Sequence, residues 1–362
     1  MLESSRLPAV AGKHGWPWAA VEPIRGRRPD QPLPKISIIT PSYNQGQFLE
    51  ETIRSVVAQN YPNYELIILD AGSTDNTLAI IRQYEPYITY WVSEKDRGQS
   101  HAIQKGLDKA SGDIINWINS DDVLAPGAFD CIAAEFDLAR YDVMCGRCDY
   151  FLGTTSQLDL CGMRMGLEAT VGDTLNRYQI NQPSTFFKAS AIKQLGIDEQ
   201  FRYTMDLDLW FRYLLRAGQA RVLLSDSLLS YFRLHDTSKT VAEGSHFEQD
   251  IQKVFYNVLY SAQQPAVLLA AVHRLIAQAA AFAPTRYEIG IPVVELAAFI
   301  RHQAWLAVHR YNQTGESAAA RQCLRIARQY GQPLNGATLK QLVRLYALPT
   351  AWRPQASHPS SF

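Results

Sequence analysis

The sequence lacks net charge and long apolar runs. Its 35 Lys and Arg residues balance 35 Asp and Glu residues over 362 positions, so overall charge provides no general surface for nucleic acid. No stretch approaches the roughly 20 uninterrupted apolar residues of a membrane span, and the nearest, 265–284, contains His273 and Arg274. We expect it to form a packed amphipathic helix, with a membrane-surface or partner-binding face as the alternative.

Cysteine is also scarce. Five cysteines, an odd number, do not make the dense framework of a secreted disulfide protein and indicate a reducing, cytoplasmic environment. Cys145 and Cys148 form a CxxC, but a zinc site normally needs a second ligand pair, and only Cys131 and Cys161 lie nearby. We therefore expect buried strand cysteines.

Two nucleotide-binding signatures are missing. The turn "TPSYNQGQF" contains one glycine and no GxGxxG, which argues against a dinucleotide-dependent dehydrogenase, and no GxxxxGK[ST] occurs. The N-terminal residues 1–34 have no continuous apolar core of the signal-peptide type, so we expect a lead-in segment there.

What the sequence does contain, from Lys35 to about Tyr150, is an alternation of β-branched runs with amphipathic helical stretches. This pattern predicts an α/β fold with a parallel sheet. Polar clusters follow three of the predicted strands: "TPSYN" at 40–44, "DAGSTD" at 70–75 and "NSDD" at 119–122. Ligands of open parallel sheets bind at the carboxyl ends of the strands, so we expect the three clusters on one rim.

The alternation weakens beyond Tyr150, and after about Ser245 the chain is predicted to be helical. We expect a lead-in at 1–34, an α/β domain at 35–244 with halves meeting near 150, and a helical region at 245–362. Residues 305–333 predict a helical hairpin with Gly315 at its turn.

The acidic pair Asp121 and Asp122 follows the apolar run "DIINWIN". Mg²⁺ and Mn²⁺ take carboxylate oxygens and complete their shells with phosphate oxygens and water, so the pair suits a divalent cation. The alternative is a helix cap near Pro126, but a helix dipole contributes only about 0.3 to 1 kcal/mol per charge and the two carboxylates repel each other. The neighbouring polar clusters favour the cation.

Four motifs in this order resemble family 2 glycosyltransferases of the GT-A fold: "ISIITPSYNQGQFLEETIRSVVAQNYPNYELIILDAGSTDNT", "SEKDRGQSHAIQKGLDKASGD", "NSDDV" and "MDLDLW". The resemblance covers about Lys35 to Thr240, and the lead-in "GWPW" is similar to that of bacterial members that build surface polysaccharides. It implies a Rossmann-like, mostly parallel sheet, followed here by the helical C-terminal region. The implied activity is inverting transfer from a UDP-sugar, with Mn²⁺ or Mg²⁺ on its diphosphate, to a saccharide or lipid-linked saccharide acceptor. The cytoplasmic location rests on the cysteine usage, and the C-terminal helices, which lie outside the resemblance, leave open contact with the inner face of the membrane, with another protein or with a second copy.

The resemblance also implies site residues. A cation would bind Asp121 and Asp122 as the DxD equivalent, together with a late histidine, His235, for which a purely structural role is the alternative. Asn119 and Ala71 depart from the family pattern, since many members have carboxylates there. The nucleotide pocket would be formed by Thr40, Pro41, Ser42, Tyr43, Asn44, Asp70, Arg97, Ser120 and Asp121.

Other residues are expected at the diphosphate or the acceptor. An inverting displacement needs a base for the acceptor hydroxyl, and we assign this role to Asp206. The alternative is that Asp206 lies at the start of a helix and has no catalytic role. On a helix, Asp208 would project about 200° away and cap the helix or pair with an arginine. Arg97 and Lys105 would face the leaving group, unless they are solvated residues beside a helix. The remaining candidates are Gln182, Trp210, Arg233 and Lys239.

Two other functions stay open at the level of sequence. One is a nucleotidyltransferase-like enzyme, although "TPSYNQGQF" has no basic residue for a nucleotide loop. The other is a catalytically weak domain that acts as a binding scaffold, which the departures at Asn119 and Ala71 would allow.

Overall fold

The computed structural model describes residues 7, 10–18, 33–153, 162, 164–235, 244–276 and 281–347. These residues pack as two compact units. Unit 1 contains the described residues up to 166 together with 179–213 and 219–244. Unit 2 contains 167–178, 214–218 and the described residues from 245 onward.

Unit 1 is built on an eight-stranded mixed sheet in the order β3-β2-β1-β4-β7-β6-β8-β5. β1 pairs in parallel with β2 and β4, and β2 pairs in parallel with β3, which confirms the parallel sheet predicted for the first half. β7 is antiparallel to both β4 and β6, so the second half is mixed. The strands are β1 Ile36–Ser42, β2 Tyr64–Asp70, β3 Tyr90–Ser93, β4 Ile114–Trp117, β5 Val123–Leu124, β6 Val143–Leu152, β7 Thr185–Lys188 and β8 Val222–Leu234.

Helices flank this sheet as the apolar periodicity predicts. On the first of them, Leu49, Ile53 and Val56 recur at helical spacing, are fully buried and join the main core cluster. Gly106 allows another helix to approach β1 closely, because a Cβ atom there would lie 2.3 Å from Ile39 Cγ2. The helices are α1 Gly46–Val57, α2 Thr77–Gln83, α3 Gln99–Lys109, α4 Ala128–Glu135, α6 Ala189–Leu195 and α7 Met205–Ala217, whose last turn belongs to unit 2.

The described part of the lead-in contacts unit 1 through its tryptophans. Trp16 Nε1 donates to the carbonyl oxygen of Leu124 at 2.7 Å, and Trp18 Nε1 donates to Glu51 Oε1 at 3.3 Å. The motif "GWPW" is therefore part of the packing of this unit.

Unit 2 is helical in its described residues. Its helices are α5 Val171–Arg177, α8 Gly244–Ser261, α9 Ala266–His273, α10 Ala297–Gln313, α11 Ser317–Gln329 and α12 Gly336–Leu342, and a π-helical turn follows at Val343–Ala347. α10 and α11 pack as the predicted hairpin, and Gly315 at the turn has φ of 76°, a conformation that favours glycine.

The apolar stretch 265–284 is predicted to form a packed amphipathic helix. In the stretch 265–284, α9 buries Leu268, Ala271 and Val272, so the described part is a packed helix. No described helix is both long and apolar enough to cross a bilayer.

Cys145 and Cys148 are free and buried, as predicted, and burial raises the pKa of each thiol to about 12. Cys161 lies outside the described residues.

Candidate active site

The first two polar clusters join at the carboxyl ends of β1 and β2. The backbone N–H of Asn44, which has φ of 51°, donates to Ser73 Oγ at 2.7 Å, and the N–H of Thr74 donates to Asn44 Oδ1 at 2.8 Å. The N–H of Gly46 donates to Asp75 Oδ2 at 2.9 Å. These bonds turn the two loops into one rigid surface on the rim.

Asp70 organises that surface from inside. Its carboxylate accepts bonds from the N–H groups of Gly72 and Ser73 at 3.1 and 2.9 Å, from Ser93 Oγ at 2.5 Å and from Ser73 Oγ. Asp70 is only 2% exposed. Asp70 therefore fixes the loop from inside, and its place in the nucleotide pocket stays a prediction.

Thr40 and Ser42 contribute buried hydroxyl groups at the end of β1. They lie on the same face of the strand, because side chains two residues apart point the same way. Neither hydroxyl has a hydrogen-bond partner in the described part of the chain. An unmet buried hydroxyl costs about 1 to 3 kcal/mol, so a ligand group or an ordered water is expected there. Pro41 beside them is buried, and Tyr43 is exposed.

The acidic turn separates its two carboxylates. Asp122 is 1% exposed; its Oδ1 accepts the backbone N–H of Arg233 at 3.1 Å, and its Oδ2 accepts Asn119 Nδ2 at 3.2 Å. Asn119 Oδ1 in turn accepts Gln99 Nε2 at 2.7 Å. Burial, followed by the neighbouring Asp121 carboxylate, raises the pKa of Asp122 well above its usual range. Asp122, predicted as a metal ligand, is thus held inside the turn.

Asp121 faces outward and meets the predicted histidine. His235 Nε2 lies 3.0 Å from Asp121 Oδ2, and both side chains are partly exposed. The imidazole packs on Phe48, with ring centroids 4.7 Å apart. The structure thus brings together two of the three predicted metal ligands.

Strand register explains why His235 reaches this turn. β5 pairs antiparallel with β8 so that Val123 lies opposite Tyr231. Continuing that register by two residues places Arg233 opposite Asp121, and His235 follows on the same face. Residues more than 100 positions apart therefore converge through a single strand pairing.

Arg233 lies behind this turn and is 2% exposed. Its Nε donates to the carbonyl oxygen of Asp121 at 2.8 Å, Nη2 binds Glu51 and Nη1 binds the carbonyl oxygen of Gly153. A buried positive charge thus lies beside the acidic pair, with Glu51 as its counter-ion.

Two aromatic rings also hold Arg233. Its guanidinium carbon lies 4.7 Å from the centroid of Phe48 and 4.4 Å from that of Phe151. All three guanidinium nitrogens are bonded to protein oxygens, so the phosphate contact expected for Arg233 is replaced by an internal one. Lys239, the other cation expected from this segment, lies outside the described residues.

Arg97 and Lys105 each have a carboxylate partner. Arg97 forms a bidentate pair with Glu199, with nitrogen to oxygen distances of 2.7 to 2.9 Å, and Lys105 binds Glu94. Both pairs are partly or largely exposed, and exposed pairs exchange partners at little cost. These cations can therefore rearrange toward a bound anion.

Asp206 lies at the start of α7 and is partly exposed. Its Oδ1 accepts the N–H of Leu207 at 2.9 Å, and burial raises the pKa of Asp206 to about 6. Asp208 is fully buried and binds Arg212 Nε at 2.8 Å, while Arg212 also donates to the carbonyl oxygen of Gly196 at 2.8 Å. The helix thus separates the two carboxylates as predicted, with Asp208 in an ion pair.

The first turn of α3 links the acidic turn to the loop before α7. Gln99 donates to Asn119, and the next residue, Ser100, donates to the carbonyl oxygen of Phe201. Because neighbouring residues of one helix hold both segments, the positions of Asp121 and Asp206 depend on the same element.

The remaining predicted residues are buried. Gln182 Nε2 donates to the carbonyl oxygen of Trp117 at 2.6 Å and therefore supports the end of β4. Trp210 is 1% exposed and stacks on Tyr213 with centroids 5.8 Å apart, which is a core position. Ser120 is buried within the acidic turn.

The structural roles of Glu51, Gln99 and Asn119 were not recognised from sequence. Glu51 carries no local signal, since it is one of several polar residues on α1. The two-residue spacing of Arg233 and His235 on a strand was a usable signal, because it places both side chains on one face.

The side chains fit a divalent cation that arrives with phosphate ligands. In the described residues no three His, Cys, Asp or Glu side chains are arranged to hold a metal ion by themselves. Asp121 and His235 offer one carboxylate and one imidazole on the open side of the turn. Mg²⁺ in nucleotide enzymes is bound by one or two carboxylates plus substrate phosphates and water, so this small donor set is sufficient.

Comparison with known sequences agrees with this geometry. Residues 37–191 match the model for glycosyl transferase family 2. The chain is 26% identical over 268 residues to an uncharacterized glycosyltransferase of Rickettsia typhi, a match that covers 69% of this chain and 80% of that protein. It is 39% identical over 94 residues to the protein of Bacillus subtilis named "Putative teichuronic acid biosynthesis glycosyltransferase TuaG". That match covers 25% of this chain and 36% of TuaG.

Solved structures extend the similarity to the fold. TarS 1–349 from S. aureus superposes with a TM-score of 0.52 at 17% identity, covering 86% of this chain and 90% of TarS. Its complex with UDP-GlcNAc gives a TM-score of 0.53 at 17% identity, covering 86% of this chain and 90% of that chain. The predicted fold is confirmed as GT-A, and the predicted family is confirmed for residues 37–191, the domain that matches the glycosyl transferase family 2 model.

Proposed function

We propose that this glycosyltransferase transfers a sugar, with inversion, from a UDP-sugar to a saccharide or lipid-linked saccharide acceptor in surface polysaccharide biosynthesis. The observation that carries the proposal is the partly exposed pair of Asp121 and His235 in the turn after β4. The nucleotidyltransferase alternative has no contact in its favour.

One observation supports UDP as the donor nucleotide, and a second supports nucleotide binding in general. S. aureus TarS, which shares the fold, has been solved with UDP and with UDP-GlcNAc. In this chain, the unpartnered hydroxyls of Thr40 and Ser42 lie at the end of β1, where the fold binds its nucleotide.

We assign cation binding to Asp121 and His235, and the positioning of their turn to Asp122 and Arg233. A bound Mn²⁺ or Mg²⁺ supplies positive charge where the diphosphate leaves the sugar. Arg97 and Lys105 are the further cations that can turn toward that charge, because their present partners are partly or largely exposed.

Asp206 is the proposed base. The acceptor oxygen attacks the anomeric carbon, the bond from that carbon to the diphosphate breaks, and the acceptor proton moves to an Asp206 carboxylate oxygen. A pKa of about 6 leaves this carboxylate mostly ionised near neutral pH and still basic enough to accept the proton.

The proposal also includes the domain division and the cellular location of the enzyme. The domain division at 35–244 and 245–362 follows the sequence pattern, and the reducing cysteine usage supports a cytoplasmic location. Peripheral contact with the inner face of the membrane would bring a soluble catalytic domain to a lipid-linked acceptor.

The test combines ligand binding with one substitution. Titration calorimetry with UDP and GDP, each with and without Mn²⁺, should show UDP binding that strengthens when Mn²⁺ is present. Asp206→Asn should keep that binding and lose sugar transfer, whereas Asp121→Asn should lose the Mn²⁺-dependent part. No response to either nucleotide would instead support a binding scaffold, and normal turnover by Asp206→Asn would reject the base assignment.

A further inference from the structure

The last described segment of unit 2 carries positive charge without an acidic counterpart. Between 317 and 347 there are five Lys or Arg residues and no Asp or Glu. The acid that precedes them, Glu316, is bound by Arg274 at 2.5 Å. Within the described ranges, three of the five cations form no ion pair with a carboxylate: Arg325, Arg328 and Lys340.

Two hydrogen bonds from arginines of α11 fix how α12 lies against that helix. Arg328 Nη1 donates to the carbonyl oxygen of Gln332 at 2.8 Å, at the turn that leads into α12. Arg321 Nη1 donates to the carbonyl oxygen of Leu345 at 3.0 Å, in the π-helical turn that follows α12. α12 therefore runs back along the arginine-bearing side of α11.

The outward side of α12 is both apolar and basic. Leu339 and Val343 lie one helical turn apart and are 59% and 46% exposed, and Leu334 in the preceding turn is 67% exposed. Lys340 and Arg344 form a second stripe, about 100° further round the helix. The opposite, packed side is formed by Thr338, Gln341 and Leu345.

We propose that this surface docks on a membrane that contains anionic phospholipid. We call it the α11–α12 surface and define it by Arg325, Arg328, Leu339, Lys340 and Val343. Interfacial helices bind in this way: apolar side chains enter the boundary between headgroups and acyl chains, while neighbouring Lys and Arg contact the headgroup phosphates. The proposal rests on the peripheral membrane contact proposed above and assigns that contact to helices that carry none of the proposed site residues.

The apolar residues select the membrane over a soluble polyanion. A charged polymer would be bound by the arginines and Lys340 alone and would leave Leu339 and Val343 exposed to water. An acyl boundary accommodates both sets at once, which is why lipid is the occupant that fits the whole surface.

The test is vesicle flotation with the full chain. Vesicles of phosphatidylcholine mixed with phosphatidylglycerol should bind the protein, and vesicles of phosphatidylcholine alone should not. The triple variant Arg325→Gln, Arg328→Gln, Lys340→Gln should weaken binding by about one hundredfold, because each cation near an anionic surface contributes about fivefold. The double variant Leu339→Ser, Val343→Ser should weaken it by about tenfold.

Matched controls separate this surface from general charge and hydrophobicity. Arg82→Gln, Lys109→Gln, Arg140→Gln removes the same charge from exposed positions of unit 1, and Val293→Ser, Val294→Ser removes exposed apolar residues elsewhere in unit 2. Both should bind vesicles normally.

Three outcomes would overturn the proposal. The first is equal binding to both kinds of vesicle, and the second is an equal loss in the control variants. The third is tight binding to soluble polygalacturonate that the charge variant loses and the Leu339 and Val343 variant keeps, which would identify an anionic polymer as the partner. Circular dichroism and UDP titration of every variant show that fold and donor site are intact, so a failure here is distinct from a failure of the transferase proposal.

Discussion

The acidic turn of unit 1 and the basic helices of unit 2 handle charge in opposite ways. At the turn, Asp122 is buried beside Arg233, and Arg233 is itself neutralised by Glu51. On the α11–α12 surface, Arg325 and Lys340 face solvent and form no described ion pair.

Burial decides which charged groups need a partner within the fold. A buried ion needs its counter-charge within the fold, because desolvation costs several kcal/mol per ion. An exposed ion is solvated and costs little, so a surface of one sign is maintained without an internal counter-charge. The first arrangement fixes the geometry of a site, and the second is available to an external anion.

Removal of Arg233 should have the largest effect on the stability of the protein. Arg233→Met should lower the free energy of unfolding by about 3 to 5 kcal/mol, since Glu51 is left as a buried charge without its partner. Urea denaturation measures the loss. The double variant Arg233→Met, Glu51→Gln should recover part of it, because the stranded charge is gone. A single variant that loses no stability would mean that the buried pair does not hold the turn.

Burial has a different consequence at Asp206, because desolvation raises the pKa of this carboxyl group to about 6. As a base it must be ionised, so kcat/KM for sugar transfer should fall about tenfold for each pH unit below 6 and level off above it. A rate profile between pH 4.5 and 8, with circular dichroism at each end, measures this. A flat profile in a folded enzyme would contradict the role of Asp206.

The local sequence pattern predicted most strands and helices of the first half of unit 1, but few of the ion pairs and hydrogen bonds inside the unit. Strand runs and polar clusters placed Ser42, Asp70 and Asn119 at the ends of neighbouring parallel strands, because parallel pairing is implied by the alternation of strands and helices. The meeting of Asp121 with His235 was available only through family resemblance.

Arg233 illustrates why the rest could not be predicted. Its burial depends on β8 lying between β5 and β6, with Phe151 in register with Arg233, and its counter-ion comes from α1, 182 residues away. No local periodicity encodes such a contact, so the sequence suggested a phosphate ligand instead. The bonds of Asp70 could not be predicted for the same reason, since they come from the loop after β2 and from Ser93 at the end of β3.

The smallest effect is expected for an ion pair of unit 2. Arg274 binds Glu316 at 2.5 and 3.0 Å, and this hydrogen bonding lowers the pKa of Glu316 to about 2. Both side chains are nevertheless well exposed, so water and salt replace the interaction when it is lost. Arg274→Gln should therefore leave the urea midpoint almost unchanged, in contrast to Arg233→Met measured under the same conditions. If Arg274→Gln lost as much stability as Arg233→Met, the exposed and the buried ion pair would contribute equally, and solvent exposure would not explain their roles.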